Sequence, residues 1–129
     1  GEDYLTGLLN MLSGAVPPGT KLIIRGENSV NWNSLKSEKK IVLYRVLQEM
    51  MVNMKKHSQA KLVALIFSTE KDHLKISYSD NGVGALQDVL ENGNGIKNLK
   101  DRLKTIRGNV IFETQGKGLK ADFHIPLGS

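Results

Sequence analysis

One run restricts the fold more than any other: residues 38–57 read as a long helix whose apolar side chains cover more of its circumference than one neighbour can bury. Ile41, Val42, Tyr44, Leu47, Met51 and Met54 fall on one stripe, and Leu43, Val46 and Met50 widen it. So wide an arc predicts a central helix packed on a sheet, with a second helix beside it. Ser37 stands at the start, where its hydroxyl can accept from an orphan backbone N–H.

The sheet that such a helix needs is legible on either side of it. Residues 62–67 and 73–78 read as neighbouring strands joined by a tight turn at 68–72, with Leu74, Ile76 and Tyr78 alternating with more polar residues. Residues 109–114 and 119–126 flank Gln115-Gly116-Lys117-Gly118 and read as a closing hairpin. An earlier strand is expected at 21–26, and the polar connection 27–34 has room for a short strand near Val30 and Trp32. Two further helices complete the pattern. Leu5, Leu8, Leu9 and Leu12 share a stripe that Gly14 and Pro17-Pro18-Gly19 end, and Ile96, Leu99, Leu103 and Ile106 repeat until Gly108. Consecutive strand pairs predict an α/β two-layer sandwich: a mixed, mainly antiparallel sheet with helices packed on one face. No linker long enough to divide the chain is visible, so residues 1–129 are expected to form a single domain.

Composition removes several classes of function. With 40% hydrophobic residues the chain can build a core, and with no cysteine it has no disulfide, thiolate metal site or cysteine nucleophile. No apolar stretch approaches the roughly 20 residues of a membrane helix, so no direct membrane contact by these residues is expected. A net charge of +5 favours phosphates and acidic surfaces. Lys36, Lys39, Lys40, Lys55, Lys56, Lys97, Lys100, Arg102, Lys104 and Arg107 form a basic series, but aromatic content is only 5% and no stacking motif interleaves with it. The series reads as solvated helix faces, and no nucleic-acid partner is expected.

Three short elements carry possible chemistry. Glu49, Asn53 and His57 are spaced by four and share a helix face bordered by Lys56. The first two offer the hard oxygen ligands that Mg²⁺ prefers, although a solvent-facing polar stripe has the same spacing. Asp80-Asn81-Gly82-Val83-Gly84 ends a strand with an acceptor for a buried amine, such as the exocyclic group of adenine, and with glycines that admit a ligand close to backbone. An ordinary turn uses the same residue types. Gly93-Asn94-Gly95 precedes the helix starting at Ile96, suited to offering N–H groups to phosphate or simply to linking two elements. Neither the P-loop nor the dinucleotide fingerprint is present. Gly116-Lys117-Gly118 reads as a hairpin turn.

In their order, the three elements resemble the ATP-binding domain of the GHKL superfamily, which includes gyrase, sensor histidine kinases and MutL. The helix around Gln48-Glu49 and Lys56-His57 is similar to the N box of the kinase subclass reading Gln-Glu-x-x-x-Asn-x-x-Lys-His, Asp80 to Gly84 to the G1 box, and Gly93 to Arg102 to the G2 box. The resemblance spans essentially all 129 residues. It implies ATP and Mg²⁺ as ligands: Asn53 coordinating the metal with Glu49 beside it or polarising a water, and Lys56 reaching a phosphate. His57 belongs to the same box and is counted with the nucleotide-binding residues. Asp80 would read the adenine amine, Gly82 and Gly84 would shape its pocket, and Gly93, Gly95 and Ile96 would border the phosphates. Two positions depart from the pattern: Asn94 stands where histidine is frequent, and Leu119 where many members place threonine. Residues 85–92 alone separate the glycine elements, which implies a short lid.

By the same resemblance the chain is the catalytic part of a two-component sensor kinase. It would donate the γ-phosphoryl group of ATP to a histidine on a separate dimerisation domain of the same protein, with a response regulator downstream. His57 lies in the N box and His73 and His124 in strands, so none resembles the acceptor helix and autophosphorylation of these residues alone is not expected. The domain is expected to be cytoplasmic, the parent protein either membrane-anchored or soluble. Alternatives are a serine kinase of the anti-sigma type and a non-enzymatic nucleotide-binding module.

Overall fold

The computed structural model describes residues 2–57, 59–83, 94–115 and 118–128. Helix α1 (Glu2–Ala15) leads to strand β1 (Lys21–Arg25), two short 3₁₀ turns and the long helix α2 (Ser37–His57). Strands β2 (Leu62–Glu70) and β3 (His73–Asp80), helix α3 (Asn94–Lys104), and strands β4 (Asn109–Gln115) and β5 (Gly118–Pro126) follow. The sheet order is β1-β2-β3-β5-β4, with β1 parallel to β2 and every other pair antiparallel. The two-layer, mainly antiparallel α/β sandwich expected from the pattern is the fold.

Strand parity decides which side of the sheet the helices cover. Val63, Leu65 and Phe67 of β2 pair with Asp80, Tyr78 and Ile76 of β3, which pair in turn with Leu119, Ala121 and Phe123 of β5. The apolar members of this set are buried and join Leu8 and Leu12 of α1, six residues of α2, and Leu99 and Leu103 of α3 in one core. Asp80 therefore ends a strand on the helix-covered face, because it shares the parity of Tyr78 and Ile76. The other face is open: Leu62, Ile66 and Ile111 are exposed, and Ser77 donates to Asp122 Oδ1 at 2.8 Å.

On α2 the buried arc is Leu43, Val46, Leu47, Met50, Met51 and Met54, whereas Ile41 is 60% exposed and leaves the predicted stripe. The helix begins one residue earlier than expected: the Lys36 carbonyl accepts from Lys40 N–H at 3.0 Å, so Lys36 rather than Ser37 takes the half-in position. Lys39 departs from the solvated series. Its Nζ is buried and donates to the carbonyls of Pro126 and of Gly128, the latter at 2.6 Å, which ties the end of β5 to α2.

The short strand considered near Val30 and Trp32 is absent; 3₁₀ turns occupy Glu27–Ser29 and Trp32–Ser34. Local bonds outcompete a ladder here. Ser29 and Ser34 each return a hydroxyl to the carbonyl three residues back, and Trp32 Nε1 donates to Glu27 O at 2.8 Å while its ring packs between Tyr4 and Phe67. Gly26 is required beside these turns, since a Cβ there would lie 1.9 Å from the Phe67 carbonyl oxygen. The end of α3 also differs from expectation. Arg107 adopts the left-handed conformation (φ 60°) and Gly108 N–H closes back on Leu103 O at 2.8 Å, so the residue before the glycine turns the chain. Between β2 and β3, Glu70 pairs with His73 and only Lys71 and Asp72, both at positive φ, make the turn.

Candidate nucleotide site

The end of β3 is held from three directions. The Tyr78 hydroxyl donates to Asp80 Oδ2 at 2.5 Å, and Gly82 N–H donates to Asp80 Oδ1 at 2.9 Å. One step on, Asn81 Oδ1 accepts from the backbone N–H groups of both Lys61 and Leu62 at 2.9 Å, and Asn81 N–H donates to Leu62 O. The loop leaving β3 is thus stitched to the start of β2. Among the described residues each Asp80 oxygen accepts one hydrogen bond, so each has a further lone pair with which the carboxylate can accept an incoming N–H. Gly82 is buried beside it. Burial first, then the charge and hydrogen bond of Asp80, hold the Tyr78 phenol far above its ordinary pKa, so this hydroxyl stays a neutral donor.

Gly118 proves to be more than a turn residue. A Cβ on it would lie 2.2 Å from the Asp80 carbonyl oxygen, so only glycine lets β5 approach β3 at the residue that carries the carboxylate. Leu119 is the cross-strand partner of Asp80 and is buried, bringing no polar group.

The second cluster lies where α2 meets the first turn of α3. Asn53 is buried, and among the described residues its Nδ2 has no hydrogen-bond partner. A buried donor left unpaired costs about 1–3 kcal/mol, which makes Asn53 a poor choice for stability alone and a candidate for ligand contact. A Cβ built on Gly95 would lie 3.3 Å from Asn53 Oδ1 and 3.6 Å from Glu49 Oε1, so both side chains reach the same small residue. The helix starts at Asn94, two residues earlier than expected, and Gly95 therefore sits in the first turn rather than ahead of it. A helix's first turn offers backbone N–H groups and the positive end of its dipole, and here that turn lies beside the Glu49 and Asn53 side chains.

This donor set fits Mg²⁺: an amide and a carboxylate oxygen from one helix face, with further ligands left to phosphate and water. Among the described residues, no three or more of His, Asp and Glu gather into a closed metal cage. Ile96 is buried next to Gly95, and Lys56 is exposed on α2. His57 is the last residue of α2, and its side chain lies outside the described residues, as do Gly84, Gly93 and the expected lid, residues 85–92. The predicted residues thus form two groups, Glu49–Asn53–Gly95 and Asp80–Gly82. Sequence reasoning missed Tyr78, Asn81 and Gly118 as parts of the second. Only the shared parity of Tyr78 and Asp80 could have signalled the first of these. A separate groove of about 480 Å³, lined by Tyr4 of α1 and by Lys40, Ile41, Tyr44 and Arg45 among others on α2, involves neither group.

No family model matches the chain. The chain is 35% identical over 98 residues to the sensor histidine kinase ComP of Bacillus subtilis, which covers 73% of the chain and 13% of ComP. It is 29% identical over 128 residues to the sensor histidine kinase YxjM of the same organism, covering 98% of the chain and 30% of YxjM. It thus spans less than a third of these relatives. Among solved structures, full-length ShkA in complex with AMPPNP superposes with a TM-score of 0.69 at 18% identity, over 97% of the chain and 29% of ShkA, a likeness of fold. Among the described residues no helix is long and apolar enough to cross a membrane.

Proposed function

We infer that this chain, which belongs with the sensor histidine kinases and has the fold of their ATP-binding catalytic domain, binds ATP with Mg²⁺ and donates its γ-phosphoryl group to a histidine on a separate dimerisation domain. The observation that carries this reading is buried Asn53, whose Nδ2 has no partner among the described residues, set with Glu49 against the first turn of α3. A fixed carboxylate at the end of β3 supplies the other end of the nucleotide site.

In this reading Asp80 accepts the exocyclic amine of adenine, and buried Gly82 leaves room for the ring edge beside backbone. Asn53 Oδ1 and the Glu49 carboxylate hold the metal, with Glu49 alternatively orienting a water next to it. The metal those residues would hold would supply positive charge against the triphosphate. The N–H groups of the first turn of α3 receive phosphate oxygens, Gly95 keeping that turn close to Asn53, and Lys56 reaches a phosphate from α2. Such transfer depends on position and charge compensation, so a domain without an acceptor histidine can hold most of the machinery. The γ P–O bond breaks, a P–N bond to the imidazole forms, and ADP leaves; a response regulator then takes the phosphoryl group.

Incubation with Mg²⁺ and γ-labelled ATP tests this, with the chain alone and with the histidine-bearing dimerisation domain of the same protein. Acid-labile phosphate is expected on the added domain and not on the chain alone. Acid-stable label on a protein serine would make it a serine kinase, and nucleotide binding without label on either partner would make it a non-enzymatic module.

A further inference from the structure

The hydroxyl of Tyr78 lies inside the fold, yet its hydrogen bond is to the group that reads the nucleotide. Tyr78 is fully buried in the middle of the core, paired with Leu65 on one side and Ala121 on the other. Among the described residues its hydroxyl donates to Asp80 Oδ2 alone. Leu119, across the ladder from Asp80, offers no hydroxyl, so the second donor on the carboxylate comes from two positions back along the same strand.

We propose that Tyr78 is the positioning residue for base selection: with Gly82 N–H on the other oxygen, its hydroxyl locks Asp80 as an acceptor-only carboxylate and so makes the site select an amino over a keto purine. The inference rests on the adenine-reading role of Asp80. With donors on both oxygens, the carboxylate cannot rotate freely. Held in this way, the carboxylate presents only lone pairs to the site and has nothing to donate to a keto oxygen. Remove the hydroxyl and Oδ2 is left facing a phenyl ring. The carboxylate can then turn and take up a water, whose O–H gives a keto oxygen the donor that the fixed carboxylate denies it. Selection between bases by a hydrogen-bonding group survives only while its donor and acceptor roles are fixed.

The test compares dissociation constants for ATP and inosine triphosphate, which carries a keto group in place of the amine. They are measured in Mg²⁺ on the native chain, Tyr78→Phe and Asp80→Asn. Tyr78→Phe keeps the ring that fills the core and is expected to melt as a folded chain. Both constants come from one preparation, so any unfolded fraction cancels in their ratio. The native chain is expected to prefer ATP, Asp80→Asn to lose the preference, and Tyr78→Phe to bind ATP roughly tenfold more weakly with a preference reduced by about the same factor. An unchanged ratio in Tyr78→Phe alongside a lost ratio in Asp80→Asn overturns the inference and leaves the adenine reading standing. Equal affinity of the native chain for the two nucleotides overturns both.

Discussion

Asp80→Asn is expected to weaken ATP binding roughly 100-fold while the chain stays folded. The substitution keeps the shape and removes the charge. In the native chain Tyr78 O–H and Gly82 N–H approach the two carboxylate oxygens, which accept them and still offer lone pairs to an amine. In the amide one of those oxygens becomes an NH₂ group, a donor facing a donor, and the adenine amine loses a charge-assisted acceptor. Hydrogen bonds to charged groups contribute about 1.5–3 kcal/mol, the upper part of which corresponds to the stated loss. The fold loses less, because the clamp of Asn81 on Lys61 and Leu62 and the close approach of Gly118 do not involve the carboxylate. Calorimetric titration with ATP beside thermal melting separates the two effects, and unchanged affinity would remove Asp80 from the site.

Asn53→Ala is expected to act in the opposite sense on stability and on function. The Asn53 side chain is buried with Nδ2 unpaired among the described residues, so its removal relieves a desolvation cost of about 1–3 kcal/mol against the loss of a few packing contacts. Unfolding by denaturant should show stability unchanged within about 1 kcal/mol, or raised. Binding should change in kind: ATP affinity in Mg²⁺ is expected to fall to within about twofold of the metal-free value, since one of the two protein oxygens offered to the ion is gone. A residue that costs stability where it stands and supports binding is what a site-bearing position looks like in energetic terms. If Mg²⁺ strengthens ATP binding by the same factor in Asn53→Ala as in the native chain, the metal assignment fails.

The elements were legible in the sequence because each has a strong local period. The long helix, the paired strands and the closing hairpin all follow from apolar spacing; the helical repeat puts Glu49 and Asn53 on one face, while the role proposed for them comes from the resemblance of the ordered motifs. Residues whose role depends on a neighbour far along the chain were not legible. Ile41 has the spacing of a buried residue, but no described element packs over it, and it is exposed. Lys39 looks like one more surface cation until the end of β5 arrives to present two carbonyls to it. Trp32 appears as a strand residue because nothing local announces that Tyr4 and Phe67 will hold it in a 3₁₀ turn. The site divides in the same way. Asp80 and Gly82 stand out as a motif, whereas Gly118 gains its role only from the register that sets β5 against β3, and Tyr78 only from burial on the face it shares with Asp80.

The central claim is that one ATP is shared between the end of β3 and the meeting of α2 with α3. A single titration of the native chain with ATP in Mg²⁺, followed by nuclear magnetic resonance at the backbone amides of Gly82 and Gly95, tests it most directly. Both signals are expected to move and to report the same dissociation constant, with Gly95 depending on Mg²⁺ more steeply than Gly82. Movement of one without the other, or two unrelated affinities, would contradict it.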